Sequence, residues 1–269
     1  MLNFLKDLDE DLQKALLIQL RNLWTHTSTA IEGNTLTLGE TAFVLEEGLT
    51  ISGKPLKDHE EVVGHARAID LLYDCIEKGA SFSENDMFAL HKAVQTEVII
   101  DVYKPVGGWK TEPNSSAGVV DGRQVIFEYG VVTDIPQLME NWFALYRNFD
   151  QTILAGGTAQ ALTAYVQLHI AFVRIHPFFD GNGRMARLIA NIPVLGAGLP
   201  PIIIPRELRK EYIDILSAYH FGVGQIQANS ELLPNQKELQ PFTAFCKRAW
   251  QGSISLVEEA KKKQETRQK

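Results

Sequence analysis

The sequence predicts an all-α fold carrying one small β-hairpin. Apolar residues recur at helical spacing over most of the chain, and one short segment sets β-branched residues around an Asp-Gly pair. No internal repeat or long linker divides the 269 residues. At this length, with 45% hydrophobic residues, the chain can bury a sizeable core, and residues 1–269 are read as a single domain.

Amphipathic runs lie at about 9–30, 58–78, 84–99, 134–149, 158–175, 184–197, 206–220 and 238–262, which predicts about seven or eight helices. The stretches 48–58, 104–118 and 154–158 read as short loops, and 255–269 as a helical or frayed tail. Within residues 118–127, Asp121-Gly122 separates two β-branched runs, the signal of a hairpin with a type I′ turn. A lone hairpin is marginal by itself, so packing or function must support it. The uncharged run from Leu188 to Pro205 is interrupted by Pro193, Gly196, Gly198, Pro200 and Pro201; it reads as a buried helix followed by a turn, not a membrane span.

A net charge of −7 and a pI near 5.5 argue against nucleic acid as the main ligand. Cys75 and Cys246 make no disulfide framework, and both are expected in the core. The first ten residues hold no apolar stretch of signal-peptide length, so a cytoplasmic protein is expected.

Chemistry concentrates in residues 176–187, His-Pro-Phe-Phe-Asp-Gly-Asn-Gly-Arg-Met-Ala-Arg. Gly181 and Gly183 can adopt left-handed angles that turn successive amides toward one point, and such a nest binds an anion. Met185, Leu188, Ile189 and Ile192 follow at helical spacing, so the nest should open a helix whose dipole favours phosphate. Arg184 and Arg187, three apart, should share a face and fork onto a polyphosphate. Asp180 beside phosphates calls for a divalent cation, and Mg²⁺ is the natural choice. His176, neutral near pH 7, can take a proton from an attacking hydroxyl. Asp-Gly-Asn-Gly alone is an ordinary turn sequence; the full string of constrained positions points further.

These residues resemble the signature of the Fic family, His-x-Phe-x-Asp/Glu-Gly-Asn-Gly, with Arg after the second Gly and again three residues on. The resemblance implies an all-helical Fic fold, with a catalytic core at about 80–220, and transfer of AMP from ATP to a protein hydroxyl with release of pyrophosphate. By position it implies His176 as general base and Asp180 as Mg²⁺ ligand. Asn182 and the amides of Gly181 and Gly183 would cradle the α-phosphate, with Arg184 and Arg187 on the β- and γ-phosphates. Phe178 would anchor the loop in the core. Gly183 and Arg184 together favour nucleotidyl transfer over kinase chemistry.

Upstream, residues 28–34, Ser-Thr-Ala-Ile-Glu-Gly-Asn, resemble the inhibitory motif that Fic proteins of the N-terminally regulated subclass carry on a helix, here within 20–40. Ser28, Glu32 and Gly33 are its key positions. A Glu32 carboxylate paired with Arg187 would occupy the place of the γ-phosphate. The resemblance also makes the hairpin a flap that docks the target's backbone, with Val125, Ile126 and Phe127 as flap residues.

His169 reads as a core residue, and Tyr212 and Tyr219 as packing residues. Fic relatives often line the adenine pocket with Tyr from this region, and here the pattern departs: Ile213 and His220 stand where a second Tyr and an Asn would be expected. The partners implied are a protein substrate, self-modification and a homodimer. Two other readings stay open: a hydrolase that uses Glu32 to remove AMP, and a binding or antitoxin-like module without turnover.

Overall fold

A computed structural model describes residues 2–79, 81–95, 103–120 and 123–268, with backbone alone at 118–120, 123–125 and 150–156. The elements in chain order are α1 (Glu10–Ile31), α2 (Leu38–Glu47), α3 (Leu56–Lys78), α4 (Glu84–Val94), β1 (Ser115–Val120) and β2 (Arg123–Glu128). After the hairpin come α5 (Ile135–Ile175), α6 (Asn182–Ile189), α7 (Ile192–Gly196), α8 (Arg209–Val223) and α9 (Gln240–Arg267). Among the described residues the molecule is thus all-α apart from one antiparallel hairpin, as the periodicity predicts. The strands run in register from Ser115↔Glu128 to Val120↔Arg123. The Asp121-Gly122 turn, with its type I′ assignment, lies outside the described residues.

The structure adds α2, which the sequence reading treats as no element. Its signal is a capping box: the Thr37 hydroxyl accepts from the Glu40 N–H while the Glu40 carboxylate accepts from the Thr37 N–H. The two helices expected at 134–149 and 158–175 join into α5, broken only at Gly157, whose φ of 63° and ψ of −156° lie outside the helical region. The run expected at 184–197 divides in turn. Pro193 lacks an N–H and suits the first turn of a new helix. Buried Asn191 takes up the Arg187 carbonyl at 2.9 Å and exchanges two hydrogen bonds with the backbone of Ile202.

The second half of α5 is mostly apolar and runs through the core, with Tyr165, Leu168, Ile170, Phe172 and Ile175 buried. Trp24 of α1, Leu72 of α3, Trp142 of α5 and Trp250 of α9 close one continuous core around it. Cys246 is buried in that core, Cys75 is half-buried, and both are free. The tail is ordered as helix to Arg267 and docks on the start of α1: Gln264 accepts from the Asp9 N–H at 2.8 Å, and the Arg267 guanidinium reaches the Asp11 carboxylate at 2.6 Å. Among the described residues no helix is long and apolar enough to cross a membrane.

Candidate active site

The site begins where α5 ends. His176 caps that helix in the left-handed region, at φ 54° and ψ 59°, a conformation uncommon for a side-chain-bearing residue. Its Nδ1 lies 3.3 Å from the Val173 carbonyl, so Nδ1 carries the proton and Nε2 keeps its lone pair. Burial pushes the imidazole down to about 3, with Lys110 and His220 adding to the effect. At neutral pH the ring is therefore a neutral acceptor.

Between His176 and α6 the loop is fixed by its own residues. Phe178 is fully buried, its ring 3.8 Å from that of His91 and nearly parallel to it, and 5.2 Å from Trp109. The Asn182 side chain accepts from the Phe178 N–H at 2.9 Å and donates to the Phe178 carbonyl at 2.8 Å. The Asn182 side chain thus closes the loop on itself through one of its two N–H groups. Gly181 takes a φ of 78° as N-cap of α6, while Gly183 already lies in the helix and has no positive φ. The expectation of a left-handed Gly183 is thus corrected: it has no positive φ, and a Cβ there would press on the Glu32 carboxylate for as long as that carboxylate stays on Arg187. The first intrahelical bond of α6 runs from the Met185 N–H to the Gly181 carbonyl, which leaves the amides of Asn182, Gly183 and Arg184 at the helix N-terminus.

The two arginines diverge instead of sharing a face. Arg184 turns toward the end of α4, donating to the Gln95 side chain at 2.9 Å and the Val94 carbonyl at 3.3 Å. Arg187 turns toward α1: its Nε donates to the Ser28 hydroxyl at 3.0 Å, and one terminal nitrogen donates to the Ser28 carbonyl at 2.9 Å and to Glu32 Oε1 at 2.6 Å. Its other terminal nitrogen donates to the Tyr212 hydroxyl at 3.4 Å, which lies 3.0 Å from His169 Nε2. Burial pulls the Arg187 guanidinium down, but Glu32 and Tyr212 outweigh it and raise its proton affinity, so the buried cation is held charged.

Glu32 is the C-cap of α1 and keeps 40% of its side chain exposed. Its place is set by neighbours on both sides. Gly33 follows at a φ of 108°, and the Asn34 side chain donates to the Asp58 carbonyl at 2.9 Å and to Glu61 at 3.0 Å. Arg209 of α8 donates to the Ile31 carbonyl at 2.6 Å, a cation at the helix end where the dipole favours one.

Asp180 stands at the mouth, its side chain 62% exposed and 3.6 Å from Arg184. Burial of part of the group pushes its carboxyl up, but the Gly181 amide, Arg184 and Gln95 prevail and hold it below the usual carboxylate range. Among the described residues no group of three His, Cys, Asp or Glu side chains could hold a metal. A lone ionised carboxylate beside a phosphate nest nonetheless fits Mg²⁺, which is commonly held by one or two carboxylates together with substrate phosphates.

These groups line one cavity of about 450 Å³, which His176, Asp180, Arg184, Arg187 and Glu32 share with Ile213, Leu216, His220 and Phe221 of α8. That volume falls in the usual range of small-molecule sites. Phe127 of β2 also lines it and stacks on His220, with centroids 4.9 Å apart. Ile126 points away and is exposed; the side chain of Val125 lies outside the described residues. Sequence reasoning missed His91, Gln95, Lys110, Tyr129 and Asn114. Each meets the loop from a distant stretch of chain, and no local pattern marks it.

His91 and His220 are 1% and 5% exposed, and burial pushes them down to about 4 and about 3. In the unfolded chain they titrate near 6.5. Below that value the unfolded state binds protons that the folded state refuses, so stability falls with pH, by about 1 kcal/mol per histidine over the first unit. Urea midpoints measured from about pH 7 to pH 5 are expected to decline, and less steeply in His220→Phe.

Residues 81–193, from just before α4 into α7, match the model of the Fic/DOC family. The chain carries a Fic domain. It is 30% identical over 234 residues to "Protein adenylyltransferase fic-1" of Caenorhabditis elegans, covering 86% of this chain and 40% of that protein. It is likewise 30% identical over 229 residues to "Protein adenylyltransferase Fic" of Drosophila mojavensis, covering 85% of this chain and 39% of that one. The chain thus spans about 40% of the length of the curated relatives it matches. Among solved structures, it superposes on a Fic domain containing signaling protein from Bacteroides thetaiotaomicron with a TM-score of 0.81 at 27% identity, over 96% of this chain and 92% of that one. Fic-1 from C. elegans gives a TM-score of 0.73 at 27% identity, over 95% and 67%. The Fic match takes in the loop of residues 176–187 and the hairpin; α1, with Ser28 and Glu32, lies upstream of it.

Proposed function

We propose that this chain transfers AMP from ATP to a hydroxyl of a protein, itself included, and that Glu32 holds it in a restrained state. The observation that carries the reading is the convergence of a neutral His176 and the free N-terminal amides of α6 on one cavity. His176 Nε2 takes the proton of the attacking hydroxyl as its oxygen bonds to the α-phosphorus; the bond from that phosphorus to the bridging oxygen breaks, and pyrophosphate leaves with the electron pair. The Gly181 and Gly183 region would offer its amides to the α-phosphate, and Arg184 and Arg187, from their diverging sides, would reach the phosphates beyond. Asp180 would hold Mg²⁺, which supplies charge neutralisation on the phosphates when bound.

The base end of the nucleotide falls to Ile213, Leu216, His220 and Phe221 on α8. Phe127 closes the cavity from the hairpin, where the target's backbone would pair with the free edge. Two free cysteines accord with a reducing, cytoplasmic setting. We take residues 1–269 as one functional unit, since a single core joins α1 to α9.

The test uses ATP labelled at either the α- or the γ-phosphate, with the Glu32→Gly protein and a cell lysate. Protein is expected to retain α-label and not γ-label. Retention of γ-label would replace nucleotidyl transfer by phosphorylation, and retention of neither would remove the transferase reading.

A further inference from the structure

Tyr129, the residue after β2, lies flat on the imidazole of His176, with ring centroids 3.7 Å apart and planes within 9°. Three contacts hold the tyrosine there. Its hydroxyl donates to the Ser116 hydroxyl of β1 at 3.0 Å, its N–H donates to the Asn114 carbonyl at 3.3 Å, and its carbonyl accepts from Gln225 at 2.9 Å. The next residue sets the approach: the Gly130 N–H donates to the Ile175 carbonyl at 3.2 Å, and a Cβ at Gly130 would press on that same carbonyl oxygen. The chain after the hairpin is therefore bonded to the last turn of α5, one residue before the histidine, at a distance only glycine permits.

His176 needs such support. It sits in the left-handed region, and only the Val173 carbonyl meets its Nδ1. A ring held by one hydrogen bond at 3.3 Å can still turn about its Cβ–Cγ bond, whereas a flat aromatic face against it removes that freedom. The Asn114 that receives the Tyr129 N–H also donates to the Phe178 carbonyl at 2.8 Å, and Lys110 donates to Asn114 at 2.6 Å. Hairpin, base and anion loop are thus bonded through one short segment.

We propose that Tyr129 is a positioning residue for the base: its ring fixes the plane of the His176 imidazole and ties that plane to the hairpin. The inference rests on the reading of His176 as base. The substituents that matter are then separable. The ring does the positioning, while the hydroxyl only tethers the ring to Ser116.

The experiment compares Tyr129→Phe and Tyr129→Leu in the Glu32→Gly protein. The Phe variant is expected to keep kcat within about threefold, and the Leu variant to lose roughly tenfold to a hundredfold in kcat, the scale of a misplaced catalytic group, with KM for ATP little changed. A second readout needs no turnover. In NMR spectra of the imidazole carbons and protons, the His176 ring protons move downfield when the stacked ring is lost in the Leu variant and stay in place in the Phe variant.

Equal losses in Phe and Leu, a change in KM without kcat, or unmoved His176 resonances in the Leu variant would each overturn the proposal. Thermal melts separate unfolding from mispositioning. Should the Leu variant melt early, Gly130→Ala, which keeps the tyrosine and pushes its backbone off Ile175, is held to the same outcomes. If the Glu32→Gly parent transfers no AMP, the transferase reading fails, and the NMR comparison alone decides the role of Tyr129.

Discussion

His176→Ala is expected to lower AMP transfer by roughly 10² to 10⁴-fold, the usual worth of a positioned general base. The substitution removes a neutral imidazole whose Nε2 lone pair shares one cavity with the α6 N-terminus. It leaves in place the groups proposed to meet the phosphates: Arg184 is held by Gln95 and Val94, Asn182 by Phe178, and neither depends on the histidine. The ATP-induced rise in melting temperature should therefore persist while turnover disappears. Retained turnover would remove His176 from its role; loss of the thermal shift together with turnover would mean that the loop itself had collapsed.

Glu32→Gly is expected to act in the opposite direction. On the proposed reading the carboxylate and a phosphate would compete for the same guanidinium, since Arg187 is buried and its cation is satisfied by Ser28, Tyr212 and Glu32 together. Because Glu32 is 40% exposed, its charge-assisted bond is discounted for screening to about 1–2 kcal/mol, a factor of about 5–30 in the occupancy of the competing state. AMP transfer to self or target should rise by at least that factor, and the apo protein should melt earlier, because Arg187 has lost its anion. Addition of ATP with Mg²⁺ should restore the melting temperature more strongly than in the parent. Equal rates on labelled ATP for parent and variant would dismiss inhibition by Glu32. The double variant with His176→Ala should be inactive, which separates release of the site from its chemistry.

The loop of residues 176–187 was legible in the sequence because its chemistry is contiguous: base, carboxylate, turn glycines and arginines follow one another along the chain. The Ser28 to Asn34 string was legible only once that loop was in view, since its meaning depends on an arginine reached by folding. Helix α2 was readable and unread; Thr37 and Glu40 form a capping box in the sequence itself. The direction of each arginine was not readable, because three-residue spacing fixes a helix face and says nothing about which neighbour takes each guanidinium. His91 and Tyr129 belong to a third kind. An aromatic ring stacked on a histidine from another segment leaves no periodicity in either stretch.

Gly183 carries a last consequence, for the comparison of related chains. Its backbone angles tolerate any residue, and a side chain there would have to displace the Glu32 carboxylate, which lies where a Cβ would go. Positions 32 and 183 are therefore one coupled choice, although they sit on different elements and far apart in sequence. In a lineage that loses the acid, the glycine loses this steric reason to persist, and drift at 183 becomes a molecular fossil of a discarded restraint.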